Sequence, residues 1–224
     1  MIFDPVYFLF VGPFLLLGLL AQVWVKSAFK SGQNIPTPMT GAQTARQILD
    51  QNGLYNVPIE ITPGELSDHY DPRAKVLRLS EAVYHGQNAS AVGVAAHEAG
   101  HAIQDAQSYS LLVVRNLAVP AASLGSNAGL MLFIIGLAVS LKWLVLAGIV
   151  LFACVVVFQV INLPVEFNAS SRAKLQLANM GMFTDETLSA VRSTLTAAAM
   201  TYVAATLQAI MTLVYLLVRS GGRD

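Results

Sequence analysis

One cysteine is all that the sequence offers, and that scarcity is the first constraint. Cys154 lies in the apolar run "LVLAGIVLFACVVVFQVI", so neither an internal disulfide nor a cysteine-based zinc site can form within the chain. Charge is sparse too: 12% of the 224 residues are charged, against about a quarter in an ordinary soluble domain. Thirteen basic and thirteen acidic residues cancel, with no basic block and no acidic tail. A nucleic-acid surface, which needs clustered Lys and Arg to meet phosphates, is thereby excluded.

What the sequence has in abundance is apolar length. Hydrophobic residues make up 55% of the chain, and its mean hydropathy is +0.58. Four stretches, 5–25, 117–141, 143–163 and 198–218, reach the roughly 20 residues needed to cross a hydrocarbon core about 30 Å thick. An integral membrane protein is therefore expected. None of the four contains an acidic residue or a histidine, which speaks against a transporter, because transport sites usually need such groups at membrane depth. Ser123, Ser126, Asn127 and Gln159 are polar within these stretches and are expected to bond between helices. The first stretch opens with "MIFD", without a basic leader or a small-residue cleavage site, and reads as a retained anchor.

Lys and Arg bias sets the expected orientation. Lys26, Lys30, Arg115, Arg172, Lys174 and Arg192 fall on one side of the four spans, and Lys142, Arg219 and Arg223 on the other. Both large polar segments, 26–116 and 164–197, are expected in the cytoplasm, with both termini outside.

Between the first two spans the pattern is that of a small mixed domain. Thr40 and Gln43 form a capping box ahead of "AQTARQILDQN", and Gly53 is a natural stop for that helix. "VPIEIT" and "AKVLRLS" alternate as strands do, separated by the turn-rich "PGELSDHYDPR". Asn88 or Ser90 then caps a helix that runs to about Gln107.

That last helix carries "HEAGH". Residues four apart share a helix face, so His97 and His101 can offer imidazoles to one metal ion with Glu98 beside them. Zinc suits imidazole nitrogen, and a catalytic site keeps three protein ligands and one open position. Glu98 is expected to take a proton from zinc-bound water and pass it to the leaving amine. A third ligand is required. Gln104 and Gln107 stand where a metzincin would continue its motif, which excludes that subclass. Asp105 is eight residues from His97, roughly 12 Å along a helix axis, too far to share an ion. Glu166 in "NLPVEFNASSRAKLQLA" is the better choice, at the start of a helix expected after Pro164. Two spans separate it from His101, and an even number of crossings returns the chain to the same face.

"HEAGHA", "PVEFNASSRA", "YDPRAKVLRLS" and the flanking spans together resemble the YugP-like neutral zinc metallopeptidases of bacterial membranes, over nearly the whole chain. The resemblance implies a zinc peptidase with His97 and His101 as ligands and Glu98 as base. A more distant similarity is to HtpX-type membrane peptidases, whose third ligand comes from E-x-x-A-D. That match puts Glu166 at the glutamate but Ser170 where the aspartate would orient a zinc-binding histidine. Ser170, Ser171 and Asn168 are the possible replacements. Such peptidases bind substrate as an added strand, which points to Lys75, Val76, Leu77, Arg78 and Leu79 as an edge strand ahead of the metal helix. Arg172, His69, His85 and Tyr84 are candidates to stabilise the oxyanion, with Arg172 preferred because it shares the expected Glu166 helix.

The expected fold is a mainly α membrane protein with about four transmembrane helices and a small α+β gluzincin-like catalytic domain. Its organisation reads as an anchor (1–25), a cytoplasmic catalytic segment (26–116), a transmembrane hairpin (117–163), a third-ligand segment (164–197), and a terminal span with tail (198–224). The expected function is that of a zinc endopeptidase of the bacterial cytoplasmic membrane, acting from the cytoplasmic side on protein or peptide substrates, membrane proteins among them. The alternative is a non-proteolytic membrane scaffold or binding protein that keeps a metal site.

Overall fold

The computed structural model describes residues 4–221. Arg223 and the first three residues of "MIFD", used above for orientation and for the leader, lie outside that range. Elements follow in the order α1 (Pro5–Gln33), α2 (Gly41–Gln51), β1 (Ile59–Thr62), β2 (His69–Asp71), β3 (Val76–Ser80), α3 (Glu81–Tyr84) and α4 (Ala89–Ala106). After these come α5 (Ser110–Leu124), a π-helical turn (Gly125–Gly129), α6 (Leu130–Ala138), α7 (Lys142–Asn179) and α8 (Asp185–Gly221). The protein is mostly helical with one small sheet. Among the described residues, four helical stretches are long and apolar enough to cross a membrane: α1, α5 continuing through α6, α7, and α8.

The helices outrun the apolar stretches. α7 passes through Pro164 without a break, so Glu166 sits inside a 38-residue helix and not at the start of a new one as expected. Proline removes one backbone donor, leaving the Val160 carbonyl without its intrahelical partner, and flanking turns carry the helix across that gap.

Two compact units divide the chain. One comprises 1–21, 113–164 and 200–224; the other comprises 22–112 and 165–199. In the first, Phe133, Val145, Ile149, Phe152, Tyr215 and Leu216 form the core. Glycine permits close backbone approach there: a Cβ on Gly125 would stand 2.2 Å from the Leu151 carbonyl oxygen, and one on Gly148 2.6 Å from that of Gly129. Small residues at such crossings are what membrane helices use to pack when apolar burial gives no advantage over lipid. Large apolar side chains such as Leu9, Leu117, Met131 and Val150 face outward, as a hydrocarbon surround allows. Ser126 Oγ and Asn127 Nδ2 both donate to the Ser123 carbonyl in their own helix, so these two bonds run within a helix and not between helices as expected. The π-helical turn supplies the local geometry.

In the second unit, α2 begins as its sequence demands. Thr40 Oγ1 accepts from Gln43 N while Gln43 Oε1 accepts from Thr40 N, and Gly53 lies just beyond the helix at φ +74. Asn88 is the cap of α4, its side chain accepting from Ala91 N. The sheet order is β1-β3-β2, with β1 parallel and β2 antiparallel to β3. Leu77 and Leu79 of β3 pack with Ile48 and Leu49 of α2, and Val92, Ala96 and Ile103 of α4, in one core. Truncating Ile103 or Leu77 to Ala would cost about 2–5 kcal/mol.

Strand order corrects one expectation. β3 is the central strand and not an edge, because β1 and β2 occupy both of its backbone ladders. Lys75 lies outside the strand, at φ +53. Leu77 and Arg78 are paired on both sides, Val76 with β2 alone and Leu79 with β1 alone, so the strand does not present a continuous free edge to a substrate. β2, three residues long inside "PGELSDHYDPR", is the element that separates β3 from solvent on that side.

Candidate metal centre

Three side chains from two helices meet in the second unit. His97 Nε2 lies 3.3 Å and His101 Nε2 3.5 Å from Glu166 Oε2. One helical turn separates the imidazoles on α4, and their rings stand edge to face with centroids 4.8 Å apart. Glu166 reaches them from α7 and is 3% exposed. Gly100 makes this approach possible: a Cβ there would come within 2.8 Å of the Ala169 carbonyl oxygen. A glycine that weakens an isolated helix by up to about 1 kcal/mol thus lets the Glu166 helix settle against the histidine helix.

The donor set fits zinc. Two imidazole nitrogens and one carboxylate oxygen all lie within 4.8 Å of one another, a spacing that one cation could hold. Burial acts to lower the His101 pKa, but the hydrogen bond to Glu166 and the charges of Glu98 and Glu166 outweigh it, leaving the imidazole above its ordinary value. A positive charge is therefore favoured where the three groups converge.

Hydrogen bonds behind these side chains fix their orientation. His97 Nδ1 is 3.2 Å from Ser170 Oγ, so the hydroxyl stands where the more distant relatives were expected to place an aspartate. Ser171 Oγ instead donates to Phe167 O within its own helix. Asn168 belongs to the His101 side: its Oδ1 accepts from Gln104 Nε2 at 2.9 Å and from Arg172 Nε at 2.7 Å. His101 Nδ1 in turn lies 3.0 Å from Gln104 Oε1.

Glu98 is 8% exposed, and its Oε2 accepts from the Tyr70 backbone N–H of β2 at 3.0 Å. Sequence reasoning missed this contact because three residues in a polar, turn-rich segment carry no strand periodicity. The only signal was that Tyr70 opens "YDPRAKVLRLS", one of the segments that carried the resemblance. The Tyr70 hydroxyl donates to Asp105 Oδ2 at 2.7 Å, and Lys75 Nζ also bonds Asp105 Oδ2. Burial and the Asp105 hydrogen bond both push the Tyr70 phenol up, so it stays a donor.

The remaining candidates have partners of their own. Arg172 Nη1 donates to Gln107 Oε1 at 2.7 Å, which with the Asn168 bond fixes two faces of the guanidinium. His69 Nδ1 bonds Ser67 O, and His85 packs edge-on against Tyr84. Tyr84 and His85 line a separate, open cavity with Thr40, Arg46 and Ile59.

With this geometry in view, comparison with known proteins is decisive at family level. A family model described as "Putative neutral zinc metallopeptidase" matches residues 7–221. The chain belongs to this zinc metallopeptidase family. One relative, "Putative membrane protease YugP" of Bacillus subtilis (strain 168), is 45% identical over 207 residues, covering 91% of this chain and 92% of that protein. No solved structure matches the chain. Zinc is the cofactor of this metallopeptidase family, and His97, His101 and Glu166 form a group that could hold it.

Proposed function

We propose that the chain is a membrane endopeptidase of gluzincin type, with His97, His101 and Glu166 as zinc ligands and Glu98 as the general base. The observation that carries this reading is the convergence of His97 Nε2, His101 Nε2 and Glu166 Oε2 with the adjacent Glu98 carboxylate held in place by Tyr70. Zinc, when bound, supplies Lewis-acid polarisation of the scissile carbonyl and makes water more acidic.

The chain's own residues do the rest. The Tyr70 N–H anchors Glu98 Oε2, leaving Oε1 to take the proton from the attacking water. Glu98 then returns that proton to the amine nitrogen as the peptide C–N bond breaks. Near-complete burial of Glu98 keeps bulk water from competing for the carboxylate. The substrates are peptide bonds of proteins or peptides, membrane proteins among them, reached from the cytoplasmic side of a bacterial cytoplasmic membrane.

Zinc stoichiometry and hydrolysis in purified wild type, Glu98→Gln and Glu166→Ala, all checked for folding, test the proposal. Wild type and Glu98→Gln should hold about one zinc, Glu98→Gln should lose hydrolysis by a factor of about 100 or more, and Glu166→Ala should lose most of its metal. Full hydrolysis by Glu98→Gln would refute the mechanism, and full zinc retention by Glu166→Ala would refute the ligand set.

A further inference from the structure

The Val165 carbonyl can only accept, so the Gln104 atom 2.8 Å from it is the amide nitrogen. Arg172 can only donate, so the Asn168 atom 2.7 Å from its Nε is the amide oxygen, and Gln104 Nε2 donates to that same oxygen. Two independent contacts thus turn the Gln104 amide the same way. Its Oε1 is left facing His101 Nδ1 at 3.0 Å, and Gln104 is fully buried, without solvent to offer another arrangement. A carbonyl oxygen can only accept, so Nδ1 must carry a hydrogen, and in the neutral ring Nε2 then presents its lone pair toward Glu166 Oε2 and His97 Nε2. His97 is held less strictly, because the Ser170 hydroxyl at its Nδ1 can donate or accept.

We propose that Gln104 is a positioning residue that locks His101 in the Nδ1–H tautomer, and that Arg172 sets the lock through Asn168. Four residues are involved, and the direction of every bond between them follows from Arg172 and the Val165 carbonyl. The inference rests on the zinc reading above for its consequence, since a locked lone pair at Nε2 is what a metal ligand requires. It also gives Arg172 a role other than touching the oxyanion.

The test compares wild type, Gln104→Met, Gln104→Glu and Arg172→Met by zinc affinity in competition with a chelator, and by nitrogen-15 NMR of histidine-labelled, metal-free protein. With four histidines in the chain, the spectrum is sparse enough to assign by substitution. At a pH where the ring is neutral, wild-type His101 should show hydrogen on Nδ1. Gln104→Met should mix the tautomers and weaken zinc binding by about 10–100-fold. Gln104→Glu keeps an acceptor at Nδ1 and should bind zinc more tightly than Gln104→Met. Arg172→Met, a change at a partly exposed position, should weaken zinc by about threefold to tenfold; unchanged zinc affinity with lost turnover would return Arg172 to the oxyanion and overturn its part of the proposal. Wild-type zinc affinity in Gln104→Met, or hydrogen on Nε2 of wild-type His101, would overturn the rest. Should Gln104→Met not fold, the wild-type tautomer and Arg172→Met still decide. Absence of zinc binding by wild type would defeat the metallopeptidase reading instead, while the tautomer of the metal-free protein would continue to test the lock.

Discussion

Glu166 is a carboxylate 3% exposed between two imidazoles, and such a group needs a cation or a proton close by. The raised His101 pKa sets the direction of a pH effect in metal-free protein. A histidine whose folded value exceeds its unfolded value of about 6.5 contributes stability that is complete below that value and is lost as pH rises through the folded value. Zinc replaces the proton, so its stabilising effect should grow over the same interval. Melting curves of chelator-treated and zinc-loaded protein between about pH 6 and about pH 9 should diverge as pH rises. Parallel curves would mean that His101 does not exchange a proton for the metal. The His97, Glu98 and His101 group could be singled out because helical spacing alone puts the two histidines on one face with Glu98 beside them. Gln104 could not, because a glutamine in a helix has no signature until the Val165 carbonyl and Asn168 are seen beside it.

At the scale of elements, the site depends on how closely α7 approaches α4. Replacing Gly100 with alanine would raise intrinsic helix propensity by about 1 kcal/mol, yet the new methyl carbon would stand 2.8 Å from the Ala169 carbonyl oxygen. Backbone cannot yield as a side-chain tip does, and overpacking of this kind costs about 1–3 kcal/mol. Gly100→Ala should therefore lower the melting temperature and weaken zinc binding, since Glu166 is carried on the displaced helix. Equal stability and equal zinc affinity would show that the approach is slack. The start of α4 at Asn88 and the capping box of α2 were readable because capping chemistry is local. β2 was not, because its pairing to β3 and the Tyr70 contact to Glu98 are long-range and its own residues are polar. Helix continuity across Pro164 was hidden for the opposite reason: a strong local breaker is overridden by the helix on either side.

On the scale of the whole molecule, membrane crossing ties the proposed metal ligands together. The stretches 117–141 and 143–163 lie between α4 and Glu166, so two crossings return the chain to the face it left. In the orientation proposed from charge bias, that face is cytoplasmic and the turn between α6 and α7 is outside. Cys154 is the only native thiol, so a Cys154→Ala background is blank for labelling. Single cysteines at exposed Gln51, Glu65 and Ser140 then report their sides with a maleimide that cannot cross the membrane. In intact cells Ser140→Cys should label, whereas Gln51→Cys and Glu65→Cys should label only after permeabilisation. The reverse pattern would keep the ligand set together but move the proposed peptidase to the outer face. Labelling of all three in intact cells would break the crossing count, and with it the argument that brings Glu166 to the histidines through the membrane.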